Sequence, residues 1–407
     1  MNTDFSQEEK TVIKKLAARY RDICGEPVQE LRRQAWSSLN SLKHRRPLIY
    51  VRAFAWHEMP ESRPECENPF ARNLEDWLKS RIFWHSLNDD SIFEPYFIVR
   101  AVYRCCGWGW QIMRSVSDEP RGSFKVDYPI KDLSKIDGFR MPFHAIDEKE
   151  TSIRLEMTRG LLDGELPCVV DRGPAYRMWT GDISTDLGYL RGIENLMLDM
   201  MDQPEELHRL CSLLSQGILK THGEAEAAGD WSLIDHQNQA MPYAEELARP
   251  RSDAPAKRKD LWGYMASQEF TLVSPEQFDE FLLQYQLPIL KHFGLTAYGC
   301  CEDLTRKIDK LRQIPNLRRI AVSPFANVRS CAEQIGRDYV MSYRPNPADL
   351  LGPDCLELCR KNIRRDFGFL KESFFDITLK DVETVEYDPH RIRNWVEAVR
   401  KIVEETF

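Results

Sequence analysis

The chain has 407 residues, of which 42% are hydrophobic and 29% are charged, and its formal net charge at neutral pH is −8. This length and apolar content suffice for one large barrel or two medium domains with a proper core. The acidic balance argues against a general affinity for nucleic acid or anionic lipid. No apolar run reaches the roughly 18 residues of a membrane span, and the 11 irregularly spaced cysteines indicate a reducing compartment. We therefore expect a globular, cytoplasmic protein that binds neither nucleic acid nor membranes.

The first two thirds of the chain contain helix and strand signals of uneven clarity. Residues 1–44 are predicted to form an N-terminal helical extension, because apolar positions recur at three- and four-residue spacing after a capping pattern. Strands are predicted at residues 46–52 and 93–103, with a helix at 73–86 between them. Residues 105–185 contain short elements whose order the sequence does not define. Later helices are predicted at residues 189–200, 204–228 and 275–291, and residues 249–257 are the best loop candidate.

The last third alternates strands with helices. Strands are predicted at residues 295–300, 319–324, 339–343 and 374–379, and the helices that follow them at residues 304–314, 328–335, 354–368 and 390–405. Strands that alternate with helices at this spacing indicate parallel βαβ units, and several in series favour a (β/α)₈ barrel. The predicted fold is therefore α/β, a single (β/α)₈ barrel over residues 45–407 preceded by the helical extension.

Two thiols and a carboxylate follow the strand that begins at Leu295. In parallel α/β folds the C-terminal ends of strands hold ligands and metals. Asp303 is predicted to cap the helix at 304–314, and the N-terminus of that helix would lower the pKa of Cys300, as suits a nucleophile or a zinc ligand. The alternative for Cys300 is a buried, inert thiol. Cys301 would point away from it in an extended segment, so the two could share a metal only if the backbone turned there.

Other candidate site residues follow strands or interrupt apolar runs. Glu302 fits a metal ligand, a general acid or base, or a carboxylate favoured by a helix dipole. Glu269 is a candidate buried carboxylate or metal ligand, with ion pairing or helix capping as the alternative. His236 offers an imidazole ligand, although a lone histidine is more often structural. The candidates for substrate binding are the arginines at three strand ends and three residues near Glu269 and His236, namely Arg52, Arg100, Arg344, Trp262, Gln268 and Asn238.

Three segments in order resemble the uroporphyrinogen decarboxylase superfamily, in particular its corrinoid-linked methyltransferase branch. They are the opening strand at residues 46–52, the Gly-Ile-Glu-Asn-Leu and Met-Met-Asp-Gln-Pro-Glu sequences at 192–196 and 200–205, and the Cys300 strand. The resemblance spans residues 45–385 and implies a (β/α)₈ barrel with its active site at the C-terminal mouth, and a homodimer. Decarboxylases of the superfamily bind a polycarboxylated tetrapyrrole without a cofactor. Its methyltransferases use zinc to form a substrate thiolate, which takes a methyl group from a methyl-corrinoid.

The chain departs from both branches of that superfamily. Zinc sites of the methyltransferases resemble His-x-Cys at one strand end plus a cysteine from a later strand. Here Tyr298 and Cys300 fill the first two positions, and the later strand at 374–380 has no cysteine. Zinc, if bound, is expected on Cys300, His236 and Glu269, with Cys301 or Glu302. Arg52 is followed by Ala-Phe-Ala-Trp instead of the loop that binds porphyrinogen carboxylates, which disfavours decarboxylation in the heme pathway.

Three functional hypotheses follow. The leading one is a methyltransferase-like enzyme with Cys300, Glu269 and Tyr298 as catalytic residues, which moves a methyl group between a corrinoid and a thiol or similar acceptor. Its partners would be a corrinoid protein or a free cobamide and a small-molecule methyl donor or acceptor. The second is a metal-free decarboxylase or lyase, in which an arginine holds a substrate carboxylate and Glu269 or Asp235 handles the proton. The third is a tetrapyrrole- or corrinoid-binding carrier with apolar walls at residues 108–110.

Overall fold

The computed structural model describes residues 4–105, 107–116, 122, 124–136, 138–250 and 254–407. Cys106 and the middle of the predicted loop at 249–257 lie outside the described residues. The strands are β1 (Leu48–Val51), β2 (Phe97–Arg100), β3 (Met113–Val116), β4 (Phe124–Asp127), β5 (Cys168–Asp171), β6 (Trp262–Met265), β7 (Leu295–Tyr298), β8 (Leu317–Val322), β9 (Val340–Tyr343) and β10 (Phe374–Leu379). The helices are α1 (Gln7–Cys24), α2 (Pro27–Asn40), α3 (Pro69–His85), α4 (Glu148–Leu162), α5 (Ser184–Leu190), α6 (Ile193–Asp202), α7 (Pro204–Ala228), α8 (Pro275–Phe278), α9 (Gln284–Leu290), α10 (Ile308–Leu311), α11 (Val328–Ile335), α12 (Cys355–Leu370) and α13 (His390–Thr406).

A six-stranded sheet forms the centre of the molecule. Its strand order is β1-β10-β9-β8-β7-β6, and every neighbouring pair is parallel. A separate parallel pair joins β2 to β5, and β3 and β4 form an antiparallel hairpin. The predicted α/β class is confirmed. Within the described ranges no strand pairing joins β1 to β2 or β5 to β6, so hydrogen bonds do not close a barrel.

The central sheet is buried, and helices follow most of its strands. All six residues of β10 are buried, including the polar Asp376 and Thr378. Asp376 forms an ion pair with the buried Arg319 of β8. Arg319 Nη1 also donates to Asn40 Oδ1, 2.7 Å away, at the end of α2. This network satisfies charges that would otherwise be costly to bury and ties the N-terminal helices to the sheet.

Several predicted elements are shorter or interrupted in the structure. The helix predicted at 304–314 is wrong over most of its length, since only α10 is α-helical there. Tertiary contacts hold this segment instead, because the buried Lys307 donates to the carbonyls of Phe270 and Thr271. The helix predicted at 189–200 is divided into α5 and α6 by Gly192, whose φ is 86°. The strand predicted at 93–103 is reduced to β2, with Pro95 outside it.

No helix in the described part of the chain is long and apolar enough to cross a membrane.

Candidate active site

Side chains from three strand ends of the central sheet meet at Cys300. Cys300 follows β7, Arg344 follows β9 and Lys380 follows β10. These strands lie in one parallel sheet, so their carboxyl ends share one edge. Cys300 is 4% exposed, Arg344 is 2% exposed and Lys380 is 6% exposed, so all three charged or ionisable groups are largely removed from water.

A turn at Gly299 brings the two thiols together. Its φ of +96° belongs to the left-handed region that favours glycine, and a Cβ there would lie 2.5 Å from Leu304 Cδ1 and 3.1 Å from Ala321 Cβ. After this turn Cys300 Sγ and Cys301 Sγ are 3.4 Å apart. Cys300 is buried, whereas Cys301 is partly exposed. The two sulfurs could act together only if the backbone turned at this point, and the structure has that turn.

Two cations surround the thiol pair. Lys380 Nζ lies 2.9 Å from Cys300 Sγ and 3.1 Å from Cys301 Sγ. Arg344 donates to the carbonyl oxygen of Cys300, and its Nη2 donates to that of Gly299 over 3.4 Å. Lys380 Nζ is also 3.0 Å from Asp381 Oδ2, which accepts a hydrogen bond from Cys301 Sγ over 3.3 Å. The thiol pair thus lies in an electropositive environment, with the carboxylate of Asp381 at its exposed side.

This environment favours a thiolate on Cys300. The hydrogen bond from Cys301 is the largest cause that lowers the pKa of Cys300; together with the charges of Arg344 and Lys380, and against the opposing effect of burial, it brings that pKa to about 4. The same hydrogen bond and burial raise the pKa of Cys301. The pair therefore holds one negative charge and one proton at neutral pH. The predicted helix N-terminus plays no part, because α10 begins only at Ile308.

Glu302 fixes the turn rather than facing a ligand. Its Oε2 accepts the backbone N–H of Cys300 over 2.7 Å, and its Oε1 accepts the N–H and hydroxyl of Ser267 over 2.8 and 3.1 Å. The side chain is 1% exposed. Both carboxylate oxygens are thus used to join the Cys300 turn to Ser267, two residues after β6, and the first-turn alternative for Glu302 is wrong because α10 begins only at Ile308.

Glu269 is a partly buried carboxyl group after β6. Its Oε2 accepts a hydrogen bond from the hydroxyl of Ser184, the first residue of α5, and Gly188 packs directly against its side chain. Burial raises the pKa of Glu269, the Ser184 hydrogen bond opposes that rise, and the negative charges of Glu302 and Cys300 add to it. The capping alternative is wrong, because Ser274 caps α8. Glu269 therefore keeps its proton to a higher pH than a free glutamate does.

The proposed zinc ligands do not form a zinc site. In the part of the chain that the structure describes, no three His, Cys, Asp or Glu side chains are arranged to hold a metal ion. His236 Nδ1 accepts the backbone N–H of Trp262 over 3.2 Å, and burial lowers the pKa of His236 to about 4. The carboxylate of Glu302 is already satisfied, and the ammonium of Lys380 contacts both thiols where a cation would bind. This donor set does not fit zinc.

Two other predicted residues lie in the core. Tyr298 is 1% exposed and its hydroxyl donates to Gln286 Oε1 over 2.7 Å, so it contacts α9 rather than a substrate position. Trp262 is fully buried, its Nε1 donates to the carbonyl of Pro242 over 2.7 Å, and it packs in the same apolar cluster as Cys300.

The remaining predicted substrate-binding residues are scattered. Arg52 follows β1, and its guanidinium lies over the ring of Trp179, 5.7 Å from the centroid. Arg100 is exposed, and its guanidinium lies over the ring of Tyr103. Asn238 Oδ1 accepts the backbone N–H of Ala240 over 3.1 Å. Gln268 opens a 3₁₀ turn after β6. Of the three arginines, only Arg344 contacts the Cys300 turn, and it binds backbone carbonyls there.

Lys380, Asp381 and Ser184 are site residues that the sequence did not identify. Lys380 had only been noted as the end of a strand without cysteine, although a lysine directly after a buried strand is itself unusual. That signal could have singled it out. Ser184 gives no comparable signal, because its contact with Glu269 joins residues 85 positions apart.

Comparison with protein-family models gives no match, and comparison with curated proteins gives none either. The resemblance to the uroporphyrinogen decarboxylase superfamily stays a prediction from the sequence.

Proposed function

We propose that this protein is a group-transfer enzyme in which the thiolate of Cys300 takes a methyl group from a soft donor. The observation that supports this most directly is the 2.9 Å contact between Lys380 Nζ and Cys300 Sγ. A buried ammonium in that position keeps the sulfur ionised at neutral pH without a general base, and the thiolate rather than the thiol is the nucleophile.

Each residue of the site has a defined task in this proposal. Cys300 attacks the methyl carbon, and the donor leaves with the electron pair of the broken bond. Lys380 and Arg344 stabilise the thiolate before the transfer. In the reverse direction the ammonium of Lys380 stabilises the thiolate as it leaves. Glu269, whose pKa burial raises, supplies a proton to the leaving donor or acceptor. Glu302 holds the turn that presents the sulfur.

A methyl-corrinoid is the donor that the sequence resemblance implies, and we propose it as the co-substrate. Such a group supplies a methyl carbon that soft nucleophiles attack readily. Zinc has no role in this proposal, because Lys380 provides the positive charge beside the sulfur and the available side chains do not fit the metal. The proposed methyl acceptor beyond Cys300 is a small molecule with a thiol or a similar nucleophile.

Single-turnover methylation tests the proposal. The reduced protein is incubated with methylcobalamin in the absence of oxygen and then digested with trypsin. The mass of peptide 292–306, which carries both thiols, is measured by mass spectrometry. We expect one added methyl group on Cys300, absent in Cys300→Ser and unchanged in Cys331→Ser, which removes a different buried thiol. If Cys300 reacts with methyl iodide but never with methylcobalamin, the corrinoid proposal is wrong.

We also propose that the eight parallel strands form a (β/α)₈ barrel. The support is that β6 to β10 pair in chain order and that β1 returns to β10, as the singly wound order of a barrel requires. The pair β2-β5 supplies the two strands that would complete it. A crystal structure with β1 beside β2 and β5 beside β6 would support the closure, and a helix or loop inserted between the strands at either place would refute it.

A metal-free lyase is the second candidate, and one feature of Arg52 favours it. Nη1 of Arg52 is buried and has no hydrogen-bond partner among the described residues. Arg52 and Lys380 follow adjacent strands whose last residues, Val51 and Leu379, are paired in register. A substrate carboxylate could therefore bind Arg52 beside the thiol. Arg52→Met should weaken binding of a carboxylated substrate and leave methylation of Cys300 by methyl iodide unchanged. Loss of both would show a structural role.

A further inference from the structure

The thiol pair has a second chemical capacity that methyl transfer does not use. Cys300 and Cys301 are 3.4 Å apart at Sγ, and a single ammonium, that of Lys380, contacts both sulfurs. Methyl transfer needs one thiolate. The neighbouring thiol at this distance is the arrangement by which sulfenic acids are resolved in redox-sensitive proteins.

We propose that Cys300 and Cys301 are an oxidation site for hydroperoxides and close into a disulfide between adjacent residues. The inference does not depend on the identity of the methyl donor, because it uses only the two sulfurs and Lys380.

The reaction has two balanced steps. In the first, the thiolate of Cys300 attacks one peroxide oxygen, the O–O bond breaks, and the peroxide is reduced to an alcohol or water that takes up a proton; Cys300 becomes a sulfenic acid. In the second, the sulfur of Cys301 attacks that of Cys300, the S–S bond forms, and the hydroxyl group leaves as water with the proton of Cys301. The protein loses two electrons and the peroxide gains them.

Access and charge both favour this chemistry. Cys301 is partly exposed, and the side chain of Asp381 beside it is 56% exposed, so a molecule the size of hydrogen peroxide can approach the pair from this side. Lys380 stabilises the attacking thiolate and the developing negative charge on the peroxide oxygen. Asp381 accepts the hydrogen bond of Cys301, with Sγ and Oδ2 3.3 Å apart, and can receive its proton in the second step and pass it to the leaving hydroxyl group.

Closure would remove the thiolate that the proposed methyl transfer requires. Oxidised protein should then fail to accept a methyl group until a dithiol reductant reopens the pair, and this regulatory consequence rests on the proposed function.

Mass spectrometry of the full-length protein tests the inference. Reduced protein is treated with one equivalent of hydrogen peroxide at neutral pH, free thiols are alkylated, and the protein is digested. We expect peptide 292–306 to lose two hydrogen atoms and to carry no alkyl group. Peptide 105–114 carries the other adjacent cysteines of the chain, Cys105 and Cys106, and is resolved from it by mass.

Variants make the outcome decisive. In Cys301→Ser the oxidation should stop at a sulfenic acid on Cys300, which a dione reagent traps. In Cys331→Ser the disulfide between Cys300 and Cys301 should form as it does in the unchanged protein. Lys380→Met keeps both thiols, and its closure should be severalfold slower because no ammonium stabilises the negative charge that develops on the peroxide oxygen. Two alkylated thiols on peptide 292–306, or oxygen retained on either sulfur of the unchanged protein, would overturn the inference. Failure of methylation without peroxide counts against the proposed function alone.

Discussion

At the scale of single residues, the reactivity of Cys300 depends on a charge partner far away in the sequence. Lys380 lies 80 positions after Cys300 and contacts it because both follow strands of one parallel sheet. Cys300 was a candidate from the sequence alone, because a thiol after a strand and a glycine is conspicuous. A lysine directly after a buried strand is unusual, but nothing in the local sequence of Lys380 shows that its ammonium meets Cys300.

Replacing Lys380 with methionine should raise the pKa of the Cys300 thiol while preserving the length of the side chain. We expect alkylation by iodoacetamide near pH 5 to become severalfold slower, since a thiol reacts through its thiolate fraction and the pKa of Cys300 would no longer lie well below that pH. Lys371→Met, which alters an exposed lysine shortly before β10, is the matched control. An unchanged rate in Lys380→Met would mean that Arg344 and Cys301 suffice to ionise the sulfur.

Replacing Glu302 with glutamine tests the anchor of the turn. The carboxylate accepts two backbone N–H groups and one hydroxyl, whereas an amide would turn a donor towards one of those N–H groups. We expect a loss of about 2 kcal/mol in the free energy of unfolding by urea, the usual scale for hydrogen bonds to charged groups. Glu397→Gln, on the exposed face of α13, should change it by less than about 0.5 kcal/mol.

At the scale of elements, the sequence predicted the parts in which local pattern and tertiary environment agree. The strand at 374–379 is confirmed as β10, and the helix at 390–405 as α13 within one residue. The helix at 304–314 failed because Lys307 and Glu302 bind distant backbone groups, which outweigh local helix propensity. Residues 105–185 could not be ordered because β5 gains its definition from β2, outside this range, and β3 and β4 are strands of only four residues that pair with each other.

Gly299→Ala tests the turn between β7 and the thiols. The added Cβ would meet Leu304 Cδ1 at 2.5 Å in a backbone conformation that side chains rarely adopt. We expect a loss of about 2–3 kcal/mol in unfolding free energy, from strain and overpacking together, and slower alkylation of Cys300. Gly352→Ala shares a positive φ, here 84°, but has open space around the new Cβ. It should therefore lose only about 1 kcal/mol. Equal losses in both variants would show that the contacts with Leu304 and Ala321 are unimportant.

At the scale of the whole molecule, buried acids near the site make stability depend on pH. Asp186, in α5, accepts the Nε1–H of Trp108 over 3.0 Å, and its other oxygen is buried without a partner among the residues described. Burial raises the pKa of Asp186 from 3.8 to about 7, the hydrogen bond from Trp108 opposes this, and the charge of Glu269 adds to it. The unfolded chain releases this proton at lower pH than the folded protein does. The contribution of Asp186 is therefore present below about pH 4 and is lost as the pH rises to 7.

Asp186→Asn should remove this dependence. The stability of the variant relative to the unchanged protein should rise with pH between 4 and 7, by up to about 1.4 kcal/mol per pH unit and about 2–4 kcal/mol in all. Urea unfolding at pH 5 and pH 8 measures the difference, with Asp202→Asn, an exposed carboxylate on α6, as the control. A difference that is the same at both pH values would mean that Asp186 is already ionised in the folded protein at pH 5.

The pairing of β1 with β10 also has a consequence for biosynthesis. Leu48 pairs with Asp376, and among the described strands β10 is the neighbour of β1 in the central sheet, so the opening strand stays unpaired there until β10 has emerged from the ribosome. Lys380 emerges directly after β10, whereas Cys300 emerges earlier. A nascent chain therefore carries both thiols before their counter-ion exists, and an ordinary thiol with an unperturbed pKa is far less reactive than the finished site. The protein acquires its reactive sulfur only when its last strand joins its first.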